Sequence, residues 1–318
     1  MCEVLTRALL GLASRGGAQG RLSILIFHRV LPEPDSIFPH EMHARRFDAV
    51  CGWLKYWFNV LPLDQAVARL KDGSLPARAA CITFDDGYAD NHDVAMPILL
   101  RHGLPATFFI ATGFLDGGRM WNDTIIESVR LCKSASLDLG DLGRLPVGTA
   151  VEQTAAIKDL IGRIKYLPVA ERVTCAESIA RAAHAALPDN LMMTSAQVLS
   201  MRHAGMQIGA HTVSHPILVR LGEAQVREEI GGSKDYLEQL LGERVGLFAY
   251  PNGKPGDDYD ARAVAVVREL GFDAAVSTQW GAARTGTDLF QIPRYTPWNR
   301  TRARFGLGLL GNLRGLQA

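Results

Sequence analysis

The chain has 318 residues, 47% of them hydrophobic, which is enough to bury a substantial core in one large α/β domain or two small ones. Its 34 Lys and Arg residues nearly balance 33 Asp and Glu residues, so the net charge of +1 argues against a strong field for nucleic acid or an anionic membrane surface. The five cysteines include no C-x-x-C pair, which argues against a disulfide framework and a thiolate zinc cluster.

Residues 1–20 are predicted to form an extension ahead of the main domain. They begin MCEVLTRALLGLASRGG, with an early acidic residue and an apolar stretch, ALLGLA, that is shorter than a usual signal-peptide core. No stretch approaches the roughly 18 apolar residues that a membrane span needs. We therefore expect a cytoplasmic or peripherally membrane-associated protein, and secretion remains an alternative.

From residue 21 to about residue 300, short apolar runs alternate with segments of helical spacing, which is the pattern of repeated βα units. The predicted strands, in chain order, are LSILIF, FNVLPL, AACITF, ATFFIA, MQIGA, VGLFAY and DAAVS, with a weaker candidate at LFQIP. The predicted helices are residues 45–56, 92–102, 222–241 and 258–270. About seven strands alternating with helices favour an α/β fold with a distorted parallel (β/α) barrel over residues 21–300, and an open doubly wound sheet is the alternative.

Three segments carry more specific predictions. Residues from about 116 to 200 have mainly helical patterns and are expected to form a helical insertion over one end of the barrel. In the helix at 222–241, Val226 and Ile230 share the apolar face, whereas Glu229 lies on the polar face. Residues 301–318 are apolar and Gly-rich, so we expect a loosely packed tail, with contact to a membrane or a partner as the alternative.

The sharpest local motif is CITFDDGYADN, in which a strand ends at Phe84 and is followed at once by Asp85 and Asp86. Two adjacent ionised carboxylates repel each other, so a site that keeps them together usually holds a cation or needs two protonation states. An ordinary Asp-Gly turn after a strand is the competing interpretation.

The second motif is IGAHTVSHPIL, where His211 and His215 follow another predicted strand. A helical turn after His211 would let both imidazoles face one point, and neutral imidazole is the commonest metal ligand. Two imidazoles and one carboxylate form a known catalytic ligand set that leaves a coordination position open for water. The two motifs together predict a metal-dependent hydrolase with a centre built from Asp85, Asp86, His211 and His215.

Three further motifs also lie at strand ends. In VGLFAYPNGKPG, the turn at Tyr250, Pro251, Asn252 and Gly253 can present the Asn252 amide rigidly toward a substrate oxygen, because proline fixes one dihedral angle and glycine permits a left-handed one. LSILIFHRVLP places His28 after the first strand, and LFQIPRYTPW places Arg294 after the last. Barrel active sites are assembled at the carboxyl ends of the strands, so these residues are expected to converge.

The chain resembles the polysaccharide deacetylase family of carbohydrate esterases, with the NodB-homology domain. The resemblance runs from about Ser23 to Pro297 and rests on TFDDGY at 83–88, HTVSH at 211–215 and AYPNG at 249–253. It implies a distorted barrel of βα units, a divalent metal that is often zinc, and removal of acetyl groups from N-acetylated sugars in a polysaccharide or glycan precursor.

The resemblance also implies a role for each matching residue. Asp85 would be the general base, and the metal would be bound by Asp86, His211 and His215. The Asn252 backbone amide would help to form the oxyanion hole. One branch of the family has its catalytic acid in a strand-end motif similar to IFHRV, which makes His28 the candidate acid.

The chain departs from the family pattern at two places. Many members have an arginine where this sequence has Ala249, so Arg294 is the candidate to supply the guanidinium, hydrogen-bond Asp85 and keep it ionised. The C-terminal histidine motif of the unpermuted branch is absent, since no histidine follows His215. The candidates for contact with the sugar are Tyr250, Pro251, Trp121 and Trp298, together with Trp280.

Two alternative functions remain open at this point. One is another metal-dependent amide or ester hydrolase on the same scaffold, and the other is a catalytically inactive carbohydrate-binding protein. No basic patch with interleaved aromatic residues indicates a nucleic-acid partner. The sequence does not determine the oligomeric state.

Overall fold

The computed structural model describes residues 2–315 and has an α/β architecture. Its strands in these residues are β1 Arg21–Phe27, β2 Asn59–Val60, β3 Ala79–Phe84, β4 Thr107–Ile110, β5 Ser136–Asp138, β6 Arg144–Pro146, β7 Gln207–Ala210, β8 Leu247–Ala249, β9 Ala274–Trp280, β10 Ala283–Arg284 and β11 Ile292–Arg294. Its α-helices there are α1 Cys2–Ala13, α2 Ala44–Trp57, α3 Leu63–Lys71, α4 Met96–His102, α5 Trp121–Leu131, α6 Ala150–Ile164, α7 Val169–Ala183, α8 Ser195–His203, α9 Glu223–Leu241, α10 Ala261–Glu269 and α11 Arg302–Arg314.

The main sheet forms a distorted barrel. Its hydrogen-bonded order is β10-β1-β3-β4-β7-β8-β9-β11, with β2 beside β3, and every pairing is parallel except that of β10 with β1. Just after β11, Tyr295 pairs with Leu25 of β1, and the Tyr295 amide donates to the Ile24 carbonyl at 2.8 Å. This bridge joins the segment after β11 to β1, so the sheet nearly closes on itself and the predicted barrel is confirmed.

Most predicted elements are present at their predicted positions. The strand predicted as FNVLPL forms only β2, because Pro62 is the N-cap of α3 and Leu63 is the first residue of that helix. The strands β5, β6 and β10 were not predicted, since each has only two or three residues and therefore shows no usable alternation.

Stacked aromatic rings fill the barrel core directly beneath two predicted site residues. Phe84 stacks on Phe108 with ring centroids 4.7 Å apart and on Phe27 at 5.3 Å. Phe27 and Phe84 are the last residues of β1 and β3, so His28 and Asp85 each follow a buried, tightly packed ring. Packed aromatic pairs add about 1 kcal/mol beyond area burial and hold these strand ends in place.

The helical insertion has a hydrophobic core of its own, built from α5, α6, α7 and the β5–β6 hairpin. Ile125, Leu160 and Ile179 are fully or almost fully buried at its centre. The predicted extent of the insertion is wrong at its C-terminal end. Residues 195–203 form α8, which buries Val198 and Met201 in the main barrel core beside β7.

The two terminal segments pack together as helices on the barrel. Helix α11 occupies residues predicted to be a loose tail, and that prediction is wrong, because Phe305, Leu309 and Leu313 are fully buried. Helix α1 packs against α11 and buries Leu10. No helix within residues 2–315 has the length and apolar character required to cross a bilayer.

Candidate metal centre

Three side chains converge at the carboxyl ends of β3 and β7. Oδ1 of Asp86 lies 3.4 Å from Nε2 of His211 and 3.3 Å from Nε2 of His215. One possible ligand atom from each residue lies within 4.8 Å of the other two. The two imidazole rings are 4.9 Å apart with their planes at 63°, so both nitrogens face the carboxylate from different directions.

These three residues fit a divalent metal ion. Oδ1 of Asp86 is buried without a hydrogen-bond partner among the described residues, which is costly for a carboxylate unless a cation satisfies it. Nδ1 of His211 lies 2.7 Å from the Ala249 carbonyl oxygen and must donate to it, which leaves Nε2 unprotonated and available as a ligand. Two imidazoles and one carboxylate form a zinc ligand set with an open position.

The protonation states at neutral pH suit the same role. Burial raises the pKa of Asp86, but the facing imidazoles of His211 and His215 outweigh it, so the pKa lies well below its ordinary value. Burial lowers the pKa of His215 to about 4, although Asp86 opposes this shift. For His211 burial also lowers the pKa, but the carboxylates of Asp85 and Asp86 outweigh it and the net shift is upward. A cation would displace the proton that His211 otherwise attracts.

The loop that carries both histidines is held by a carboxylate from α9. Oε2 of Glu229 accepts hydrogen bonds from the amides of Val213 at 3.0 Å and Ser214 at 2.8 Å, and its other oxygen accepts from the Ser214 hydroxyl. Glu229 was predicted to lie on the polar face of its helix, and nothing in the sequence signalled a contact with the loop. The amide of His215 also donates to the Thr212 hydroxyl at 3.1 Å.

Asp85 does not face the same point as the three ligands but pairs with Arg294 from β11. Nη1 and Nη2 of Arg294 donate to Oδ1 and Oδ2 of Asp85, both at 2.7 Å, and its Nε donates to the Ser277 carbonyl at 2.8 Å. Both side chains are almost completely buried. Burial raises the pKa of Asp85, but the guanidinium outweighs it and keeps the pKa below its usual value. The hydrogen bond expected between Arg294 and Asp85 is therefore present.

His28 lies at the exposed end of β1, where it lines a cavity of about 290 Å³ together with Asp86. Its backbone is fixed by the end of the TFDDGYADN segment. Nδ2 of Asn91 donates to the His28 carbonyl at 2.8 Å, and Oδ1 of Asp90 accepts from the Val30 amide at 2.9 Å. Oδ2 of Asp90 also accepts from Nε of Arg29 at 2.8 Å. The first motif therefore supplies Asp85 and Asp86 and also orients the loop that carries His28.

The YPNG turn places Asn252 beside the centre. Asn252 has a left-handed backbone with φ of +57°, and its carbonyl accepts from the Thr278 hydroxyl at 2.7 Å. It lines a second cavity of about 210 Å³ with Asp86, His215 and Trp121. The prediction that Tyr250 contacts a sugar is wrong, because its ring is fully buried and stacks on Tyr259 at 3.8 Å.

The remaining predicted contact residues differ in position. Trp298 is 73% exposed and lines the larger cavity. Trp121 is partly buried beneath the guanidinium of Arg172, which lies 5.1 Å from its ring centre. Pro251 is buried within the turn, and Trp280 packs near Tyr295. Of the residues predicted to contact the sugar, Trp121 and Trp298 are thus the ones that line the cavities.

The larger cavity also contains an acidic residue that sequence reasoning missed. Asp123 lies in the first turn of α5, is 3% exposed and accepts a hydrogen bond from the Tyr88 hydroxyl at 3.1 Å. Burial raises its pKa to about 7, and Arg29 opposes the shift. An aspartate in the first turn of a helix is ordinarily explained by the helix dipole, so the sequence carried no signal for this position.

The comparisons with known proteins agree with this geometry. The sequence model described as "Polysaccharide deacetylase" matches residues 72–136 and 174–275, together just over half of the chain. A curated Bacillus subtilis protein, "Putative polysaccharide deacetylase YxkH", is 21% identical over 86% of this chain and 70% of its own length.

Two solved structures show the same fold. The Streptococcus pyogenes deacetylase PplD, solved in complex with acetate, aligns over 92% of this chain and 98% of its own with a TM-score of 0.61 and 19% identity. IcaB from Ammonifex degensii aligns over 95% of this chain and 98% of its own with a TM-score of 0.61 and 18% identity. From the family match and the site that the matched motifs build, we conclude that the chain belongs to the polysaccharide deacetylase family, whose members are hydrolases of the amide bonds of N-acetylated carbohydrates.

Proposed function

We propose that this protein removes the acetyl group from an N-acetylated sugar of a polysaccharide or glycan precursor, with zinc held by Asp86, His211 and His215. The observation that carries the proposal is the convergence of these three side chains within 4.8 Å around a buried carboxylate oxygen that lacks a hydrogen-bond partner among the described residues. The site opens into a cavity that a sugar can enter beside Trp298. When bound, the cation would polarise the acetyl carbonyl and lower the pKa of the attacking water.

Asp85 acts as the general base in this proposal. Its bidentate pair with Arg294 uses one lone pair on each oxygen and leaves the others available to accept a proton. The guanidinium keeps Asp85 ionised and fixes its orientation. Such a positioned base typically contributes about 10²- to 10⁴-fold in rate.

His28 and Asn252 complete the proposed machinery. The amide of Asn252, on the rigid YPNG turn, donates to the developing oxyanion, a contribution of about 3 kcal/mol for a well-placed donor. His28 protonates the leaving amine, a task that suits imidazole because its ordinary pKa is near neutral pH. The exposed position of His28 in the cavity supports this role.

Acetate release distinguishes this function from its alternatives. The zinc-loaded protein should release acetate from N-acetylglucosamine oligomers at a higher kcat/KM than from 4-nitrophenyl acetate. His28→Ala should lower kcat by about 10²-fold with zinc affinity retained. A preference for the ester would instead favour a different hydrolase. Tight binding of the oligomers without acetate release would favour a carbohydrate-binding protein.

A further inference from the structure

The two terminal helices leave apolar side chains exposed on the outside of the barrel. Four leucine and valine residues there are between 59% and 65% exposed: Val4, Leu5, Leu12 and Leu307. Leu5 and Leu12 are two turns apart and lie on one face of α1, with the exposed Ala8 between them. We call α1, α11 and the segment 298–301 that precedes α11 the terminal surface.

The two helices pack closely against each other. A Cβ atom placed on Gly306 would lie 2.9 Å from Cγ2 of Thr6, so a larger residue there would force this contact to shift. Leu5 and Leu307 are the chain neighbours of these two contacting residues. The exposed apolar side chains therefore lie on two directly packed helices, and we refer to them together as the apolar patch.

The charges on α1, α11 and the segment 298–301 are mainly positive, and Glu3 is their single acidic residue. Residues 4–21 contain three arginines and residues 298–315 contain four, and neither segment contains an acidic residue. Five of the seven are exposed: Arg7, Arg15, Arg300, Arg304 and Arg314. In a chain whose acidic and basic residues nearly balance overall, this is a strong local asymmetry.

A shallow cavity of about 410 Å³ adjoins the patch at the end of α1. Its wall contains Leu12 and three arginines, Arg15, Arg21 and Arg284. Nη1 of Arg21 also donates to the Leu313 carbonyl at 2.5 Å, which ties this cavity to the end of α11. A concave site of this kind suits an anionic phosphate headgroup whose acyl chains extend toward the neighbouring leucines.

We propose that the terminal surface binds the surface of an anionic lipid bilayer. Exposed leucines flanked mainly by arginines are typical of helices that lie in the membrane interface, where apolar burial and attraction to anionic lipids act together. Trp298, 73% exposed at the start of the same surface, is a residue type enriched at membrane interfaces. A protein partner would need a matching acidic groove, whereas a bilayer supplies both the apolar layer and the anionic layer.

Vesicle flotation with the full chain tests this inference without using catalysis. The protein is mixed with vesicles of phosphatidylcholine alone or with 30% phosphatidylglycerol, and the bound fraction is measured at low and high salt. We expect binding to the anionic vesicles only, and we expect it to weaken as salt rises. Absence of binding to anionic vesicles, or equal binding to both compositions, would overturn the proposal.

Matched variants locate the binding surface. Leu5→Glu combined with Leu12→Glu should lower the vesicle partition coefficient by about tenfold or more, and Arg304→Glu alone by about fivefold or more. The controls are Val151→Glu with Val173→Glu, which are exposed apolar residues of the insertion, and Arg181→Glu on α7. Circular dichroism and the thermal midpoint verify folding. An equal loss of binding in the control variants would refute the assignment to this surface.

Discussion

Asp86 holds its carboxylate toward the two histidines by adopting a backbone conformation that most residues avoid. Its φ is +78°, and Thr212, His215 and Asn252 at the same site also have positive φ values. Such conformations cost about 1 kcal/mol or more each in residues other than glycine, and most for a β-branched residue such as Thr212. The surrounding hydrogen bonds offset this strain. Its concentration in the three motifs indicates that their backbone is arranged for function.

The sequence was sufficient to identify the residues of the centre because each follows a strand whose carboxyl end faces the same side of the barrel. Asp86, His211 and His215 meet there, and Arg294 reaches Asp85 from β11. Asp123 could not be predicted, because its role depends on the packing of α5 over the cavity. Tyr250 was assigned to the substrate on the basis of its motif, but its side chain points into the core.

Replacing Asp123 with asparagine should stabilise the protein increasingly as pH rises. The folded-state pKa of Asp123 is raised to about 7, whereas its unfolded value is about 4, so ionisation destabilises the folded state progressively between pH 4 and pH 7. The advantage of Asp123→Asn over wild type in the free energy of unfolding should grow by about 2.5 kcal/mol between pH 5 and pH 8. Urea denaturation in the presence of a chelator measures this change.

The exposed Asp189→Asn serves as the control for that measurement, because its side chain lies on the surface of the protein. Its effect on unfolding should be nearly the same at both pH values. The prediction would be contradicted if the difference in the free energy of unfolding between Asp123→Asn and wild type stayed constant from pH 5 to pH 8. That result would show that the Asp123 carboxyl group is already ionised at pH 5.

At the level of secondary-structure elements, the helix at 223–241 was predicted almost to the residue, but its contribution to the site was not. Hydrophobic periodicity identified the buried positions Val226 and Ile230 correctly. Periodicity separates a buried face from a polar one, but it cannot distinguish a solvated glutamate from one that binds a neighbouring loop. Glu229 is half-buried and anchors the loop between His211 and His215.

Removing the Glu229 carboxylate should weaken metal binding without changing a metal ligand. In Glu229→Ala, the amides of Val213 and Ser214 lose their acceptor, so the loop no longer holds His215 in its strained conformation. We expect the zinc dissociation constant to rise by about 10-fold or more. Isothermal titration calorimetry measures it, and Glu228→Ala, an exposed neighbour on α9, is the matched control. Equal zinc affinity in the two variants would contradict a positioning role for Glu229.

For the whole molecule, the alternation of strands and helices predicted the barrel correctly, but composition led to a wrong prediction for the C-terminal segment. The segment 301–318 was interpreted as a loose tail because it is rich in glycine. One of those glycines, Gly306, instead allows α11 to pack closely against Thr6 and the ring of Trp57. The net charge of +1 argued against an anionic membrane surface, but it does not show that arginines are concentrated on the terminal surface.

Helix α11 should therefore contribute to the stability of the whole fold. Phe305 is fully buried, and Trp53 and Trp57 lie against its ring with centroids 5.4 and 6.3 Å away. Phe305→Ala should lower the free energy of unfolding by about 3 to 5 kcal/mol. Leu307→Ala, two residues further on and 65% exposed, should change it by less than about 0.5 kcal/mol. Denaturant titration measures the free energy of unfolding of both variants. If Phe305→Ala lowered it as little as Leu307→Ala does, the C-terminal segment would be a loose tail after all.

The central claim is that Asp86 serves as a metal ligand and Asp85 as the base, although the two are adjacent in the chain. The most direct test measures zinc binding and acetate release in chelator-treated wild type, Asp86→Asn and Asp85→Asn. Wild type should lose turnover on chelation and regain it with one equivalent of zinc. Asp86→Asn should lose both zinc binding and turnover, whereas Asp85→Asn should bind zinc as wild type does but turn over about 10³-fold more slowly. Full turnover by chelated Asp86→Asn protein would contradict the account.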